Sequence, residues 1–79
     1  MNKEDIFEII TNHAREVIPK LQEHEFKYDD ALKDLGANSV DRSEIVMMTL
    51  ESLSLNIPLI VIAQAENIGE LTNIIHEKL

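Results

Sequence analysis

The stretch Asp34-Leu35-Gly36-Ala37-Asn38-Ser39-Val40-Asp41-Arg42-Ser43-Glu44 runs from a flexible turn straight into residues that start helices. Gly36 offers a backbone position able to take positive φ just ahead of the start. With Asn38 as the N-cap, Asp41 falls three residues on, where its carboxylate can return the capping hydrogen bond, and Ser39 becomes the first helical residue. The alternative is that Ser39 is itself the cap, since serine is among the preferred capping residues. Beyond it, a helix from Val40 to Leu53 gathers Ile45, Val46, Thr49, Leu50 and Leu53 on one side, with Asp41, Arg42, Glu44 and Glu51 mostly elsewhere.

Upstream, Lys20 to Asn38 is polar with isolated anchors at Phe26, Tyr28, Leu32 and Leu35. A connection of that length in a small domain is uncommon unless it is functional or holds a short helix. Asp29 to Lys33 offers one turn of such a helix, and the segment reads as a long, pinned loop. Before it, Ile6, Ile10, Ala14, Val17, Ile18 and Leu21 recur at helical steps. Asn2 with Asp5 caps that helix and places negative charge at its positive end; Pro19 stops it near Val17 or Ile18.

Downstream, Ile57-Pro58-Leu59-Ile60-Val61-Ile62 has the β-branched content of a buried strand. No second strand candidate exists to pair with it, and Pro58 suits a first helical position, so a short third helix is expected. Asn67 to Glu70 has the form of a capping box, Glu70 reaching back to the cap. Leu71, Ile74 and Ile75 continue a last amphipathic helix that ends in Lys78. The fold class is therefore all-α: a small four-helix bundle with three longer helices, one short third helix and a long first loop. Nothing divides the chain, so residues 1–79 are read as a single domain.

Composition narrows what such a bundle can do. The chain has 79 residues, 7 Lys+Arg against 15 Asp+Glu for a net charge of −8, and 44% apolar residues. A chain this short has no room for a core and a cavity ringed by catalytic groups as well, so no enzyme is expected. The absence of cysteine removes disulfides, thiolate nucleophiles and Cys-ligated zinc together, and a reducing cytoplasm is the simplest setting. A −8 surface attracts neither nucleic acid nor an anionic membrane; a basic partner protein fits better. The longest apolar run, Ile57 to Ala63, falls far short of the ~20 residues that span a bilayer, and the N-terminus lacks the uninterrupted apolar stretch of a signal peptide. His13, His24 and His76 are scattered without metal-ligand spacing, so no metal site is expected.

A hydroxyl on the first residue of a helix, not needed for capping, points to solvent at the helix's positive pole, which suits an attached phosphodiester. The chain resembles an acyl carrier protein over nearly its whole length. Asp34-Leu35-Gly36-Ala37-Asn38-Ser39-Val40 is similar to the family signature that ends in Gly-x-Asp-Ser-Leu, whose serine receives 4′-phosphopantetheine from coenzyme A. Asp41 and Glu44 after the serine, Ile57-Pro58 before the third helix and Ile68-Gly69-Glu70-Leu71 at the last one support the resemblance. Two residues depart from the pattern: Asn38 stands where the family has Asp, and Val40 where it has Leu. Both lie beside the attachment point, so the transferase contact and the surface next to the arm differ from the common form.

The resemblance implies a carrier that makes no bonds itself and presents acyl thioesters on a flexible arm from Ser39. Gly36 to Glu44 most resembles the free-standing carriers of polyketide β-branching cassettes, which offer a small acyl group, typically acetyl made from malonyl by decarboxylation, to an enzyme similar to hydroxymethylglutaryl-CoA synthase. The implied partners are a phosphopantetheinyl transferase, an acyltransferase, a ketosynthase-like decarboxylase and that synthase, each meeting a monomeric carrier. Fatty-acid and aminoacyl carriers are the alternatives within the class.

Transient docking favours charge steering over a large apolar interface. Asp41, Glu44 and Glu51, with Asp29, Asp30 and Asp34 in the preceding loop, would supply an acidic ring, and Val40 and Met47 a small apolar centre. Arg42 is the odd member, since a cation in the first turn opposes the helix dipole; it either marks specificity against wrong enzymes or pairs with a nearby carboxylate. The run Leu59 to Ala63 is more apolar than its acidic counterpart in many carriers, and either packs deeper or meets a partner. A reading from another class is an acidic helical adaptor in which Ser39 is only a cap.

Overall fold

A computed structural model describes all residues 1–79. Four α-helices follow in order: α1 Lys3–Val17, α2 Ser39–Ser52, α3 Leu59–Ile62 and α4 Ile68–Glu77, with a single 3-10 turn at Pro19–Leu21 after α1. There is no strand, so the β-branched run at Ile57–Ile62 is helical. Pro58 is the residue before α3 rather than its first turn, with extended φ −56° and ψ 137°. It sets the entry to the helix without sitting in it.

The starts of α1 and α2 are built alike. Asn2 accepts from the Asp5 amide at 2.9 Å while Asp5 accepts from the Asn2 amide at 3.2 Å, and Asn38 and Asp41 repeat the exchange at 2.8 and 3.3 Å. At α4 the reciprocity fails. Asn67 accepts from the Glu70 amide at 2.8 Å, but the Glu70 carboxylate reaches one residue further, to the Glu66 amide at 3.0 Å.

α1 packs against both α2 and α4, and α3 against α4. The core between them draws Ile6, Ile10 and Ala14 from α1, Ile45 and Leu50 from α2, Ile57 and Ile62 around α3, and Ile68, Leu71 and Ile75 from α4. Two threonines lie fully inside it, Thr49 and Thr72. Each hydroxyl donates to the carbonyl one turn back, Ile45 and Ile68, at 2.8 Å, so neither buried hydroxyl is left unpaired in the core.

The loop between the 3-10 turn and α2 holds no helix. Tight turns over Leu32–Gly36 replace the expected one at Asp29–Lys33, and Gly36 takes φ 100°, the left-handed region that its missing Cβ permits. The loop is pinned at both faces. Leu32 and Ala37 enter the core, the Tyr28 ring stacks on Phe7 with centroids 4.4 Å apart, and the carbonyls of Asp30 and Tyr28 accept from the Ile68 and Gly69 amides at 2.9 and 2.7 Å. Those two amides are orphan donors of the first turn of α4. These loop carbonyls therefore cap a helix that begins 38 residues after Asp30.

Candidate functional site

Ser39 is the first residue of α2 and Asn38 is its N-cap, which removes the reading of Ser39 as the cap. Its side chain is exposed and forms no hydrogen bond within the chain. The backbone amides of Ser39 and Val40 likewise have no partner in the chain, because the Asn38 side chain has taken the Asp41 amide. A nucleophilic hydroxyl and two free amides thus meet at the positive end of a 14-residue helix, the environment that favours a covalently attached phosphate.

A groove of about 600 Å³ opens beside Ser39. Its walls are Leu32 to Asp34 of the loop, Ser43 and Val46 of α2, Leu59, Ile62 and Ala63 around α3, and Ile68 and Leu71 of α4. The floor is apolar, with charge confined to Lys33, Asp34, Arg42 and Glu66 at the walls. A group attached to the Ser39 hydroxyl would have both open solvent and an apolar trough within reach. The donor set and the free hydroxyl fit a 4′-phosphopantetheine group, whose terminal thiol supplies the thioester chemistry when the group is bound.

Around the serine, Val40 and Met47 are 71% and 59% exposed, so two apolar side chains stand uncovered on α2, with Glu44 between them. Glu44, Glu51, Asp34 and Asp29 are exposed as well, and Asp41 is half-buried in its capping role. Asp30 leaves the expected acidic ring. Its carboxylate turns inward, bonding His24 Nε2 at 3.0 Å and the Lys27 amide at 2.9 Å. The His24 hydrogen bond, then the Lys27 amide, hold its pKa below the usual aspartate value of 3.8.

Arg42 pairs with no carboxylate; its Nη1 donates to the Ala37 carbonyl at 2.8 Å. Of the run expected either to pack deeper or to meet a partner, Leu59 and Ile60 are 54% and 77% exposed on α3. The signal was present in the unusual apolarity of that run, but periodicity cannot say which side of a four-residue helix faces water.

The sequence matches the family model for a phosphopantetheine attachment site over residues 8–75. It is 47% identical over 79 residues to the polyketide biosynthesis acyl-carrier-protein AcpK of Bacillus subtilis, covering 100% of this chain and 96% of that one. Among solved structures, it is similar to a chain in the crystal structure of the curacin biosynthetic pathway HMG synthase in complex with an acetyl donor-ACP. That match has a TM-score of 0.94 and 47% identity, covering 99% of this chain and 100% of the other. With an all-helical bundle and a free serine at the head of α2, the chain belongs to the phosphopantetheine-binding acyl carrier proteins.

Proposed function

We propose that Ser39 carries the phosphopantetheine arm and that the loaded protein delivers a small acyl group, acetyl in the first place, to an enzyme of the hydroxymethylglutaryl-CoA synthase type during polyketide assembly. The observation that carries this reading is the unused Ser39 hydroxyl, freed by the Asn38–Asp41 exchange at the head of α2. The similarity to a carrier bound to an HMG synthase as acetyl donor supports the choice of partner.

Loading requires a transferase that brings coenzyme A to Ser39, and charging requires an acyltransferase and a ketosynthase-like decarboxylase that turns malonyl into acetyl. All act in the cytoplasm on a monomeric carrier. Val40 and Met47, ringed by Asp34, Asp41, Glu44 and Glu51, form the docking face, and the exposed Leu59 and Ile60 extend it along α3. Such a face steers toward a basic rim around an apolar seat, and its small apolar area keeps the complex short-lived.

Intact mass after incubation with coenzyme A and a broad-specificity transferase should rise by one phosphopantetheinyl group, and the acetylated product should donate to an HMG-synthase-like enzyme. Met47→Asp and Ile60→Asp, both at exposed sites, should leave helicity unchanged and still load to completion at end point, while slowing that donation. No mass gain would reject attachment; loading without donation would reject the partner.

A further inference from the structure

Arg42 stands in the first turns of α2, where a cation opposes the helix dipole. A carboxylate ordinarily offsets that cost, yet none lies within 4 Å of the Arg42 guanidinium. The hydrogen bond from Nη1 to the Ala37 carbonyl, at 2.8 Å, draws the guanidinium back past the start of the helix, in the direction helical side chains lean. It ties down one corner of the N–H fork and leaves the rest available.

Ser39 lies three residues before Arg42, so the two side chains leave the same face of α2, and both line the one groove. The surroundings are otherwise hostile to an anion. Asp34 and Glu66 share the groove walls, Asp41 and Glu44 follow on the helix, and the chain carries a net charge of −8.

We infer that Arg42 grips the phosphodiester joining the arm to Ser39, its half-buried guanidinium fork, fixed on the Ala37 carbonyl, closing a bidentate contact that holds the root of the arm at the mouth of the groove. This rests on attachment at Ser39. Planar N–H pairs match phosphate oxygens in both spacing and charge, and the free Ser39 and Val40 amides approach the same phosphate along the helix axis. Lys33 also lines the groove, but it makes no side-chain hydrogen bond or ion pair that fixes its ammonium there, and it is a point charge on a mobile stem. The consequence is a carrier whose arm is stiff at its root and free at its thiol.

The test uses the full chain in apo and holo forms, with loading verified by intact mass. The Arg42 Nε–H resonance is followed by nitrogen NMR on loading, and the arm's phosphodiester by phosphorus NMR relaxation. In the wild type the Arg42 resonance should move on loading. In Arg42→Gln the phosphorus relaxation should fall toward that of free phosphopantetheine, in Arg42→Lys it should fall part of the way, and in Lys33→Gln it should stay at the wild-type value. An Arg42 resonance that does not move, relaxation equal in wild type and Arg42→Gln, or the same loss from Lys33→Gln would overturn the inference. Should Arg42→Gln loosen the fold, the wild-type apo-to-holo comparison decides alone. A chain that gains no mass overturns attachment itself, whereas mass gain with an unmoved Arg42 overturns only the role of Arg42.

Discussion

Asn38 and Ser39 are neighbours with opposite expected phenotypes, and the pair of alanine substitutions separates folding from function. Asn38→Ala removes the side-chain oxygen that accepts from the Asp41 amide at 2.8 Å. The reciprocal bond, from the residue 38 backbone amide to the Asp41 carboxylate at 3.3 Å, keeps its donor in the variant, so the loss is that of the side-chain cap alone. Losing an N-cap of this kind costs about 1 kcal/mol, which for a domain of this size lowers Tm by roughly 4–8 °C. Ser39→Ala removes an exposed hydroxyl with no hydrogen bond and replaces serine by the best helix former.

The stability change of Ser39→Ala should therefore stay within about 0.5 kcal/mol, under about 4 °C in Tm. Modification runs the other way. At end point Asn38→Ala should still gain one phosphopantetheinyl mass, and Ser39→Ala none. Thermal unfolding by circular dichroism and intact mass spectrometry on the same samples read both. A Ser39→Ala protein melting as low as Asn38→Ala would place the hydroxyl in the cap, and a mass gain retained by Ser39→Ala would move the attachment elsewhere.

Two further substitutions probe how the long loop is held. Asp30 has a lowered native pKa, first through His24 and then through the Lys27 amide, so its contribution is complete above the ordinary aspartate value and is lost as pH falls through the native one. Asp30→Asn should thus lower Tm near neutrality and leave it unchanged in strong acid, where the wild-type carboxyl is protonated as well; an equal loss at both pH extremes would refute the assignment. At Gly69, an added Cβ would sit 2.8 Å from the Tyr28 carbonyl oxygen and 3.1 Å from its Cβ. Gly69→Ala should then cost on the order of 1–3 kcal/mol and expose the Tyr28–Gly69 hydrogen bond to exchange, and wild-type protection of the Gly69 amide in that variant would contradict the packing.

The helices themselves were legible because their causes are local. Asn2 with Asp5 and Asn38 with Asp41 are three residues apart, so the exchange of hydrogen bonds is settled within one turn and can be read from spacing. The apolar stripes of α1 and α4 predict which residues are buried, and Ile6, Ile10, Ala14, Leu71 and Ile75 are. Gly36, at the turn ahead of α2, adopts positive φ. For the same reason Ser39 could be placed at the first position of α2 from the sequence, with only the competing choice of cap to resolve.

What failed or was missing depends on groups distant in the chain. Glu70 had two amides within reach and took that of Glu66, a choice set by how the segment after α3 enters α4. Asp30 reads as one more surface carboxylate until His24, six residues away, comes alongside it. Spacing cannot show that the loop carbonyls of Tyr28 and Asp30 would satisfy amides of α4, nor that Leu59 and Ile60 face outward. Arg42 is the sharpest case: its charge and its place beside Ser39 are plain in the sequence, but only the folded loop brings the Ala37 carbonyl to its guanidinium. The helices, their N-caps at α1 and α2 and the position of the serine follow from neighbours within a turn or two of backbone. Which charges stay in solvent, which turn inward and what lines the groove follow from partners that only packing brings together.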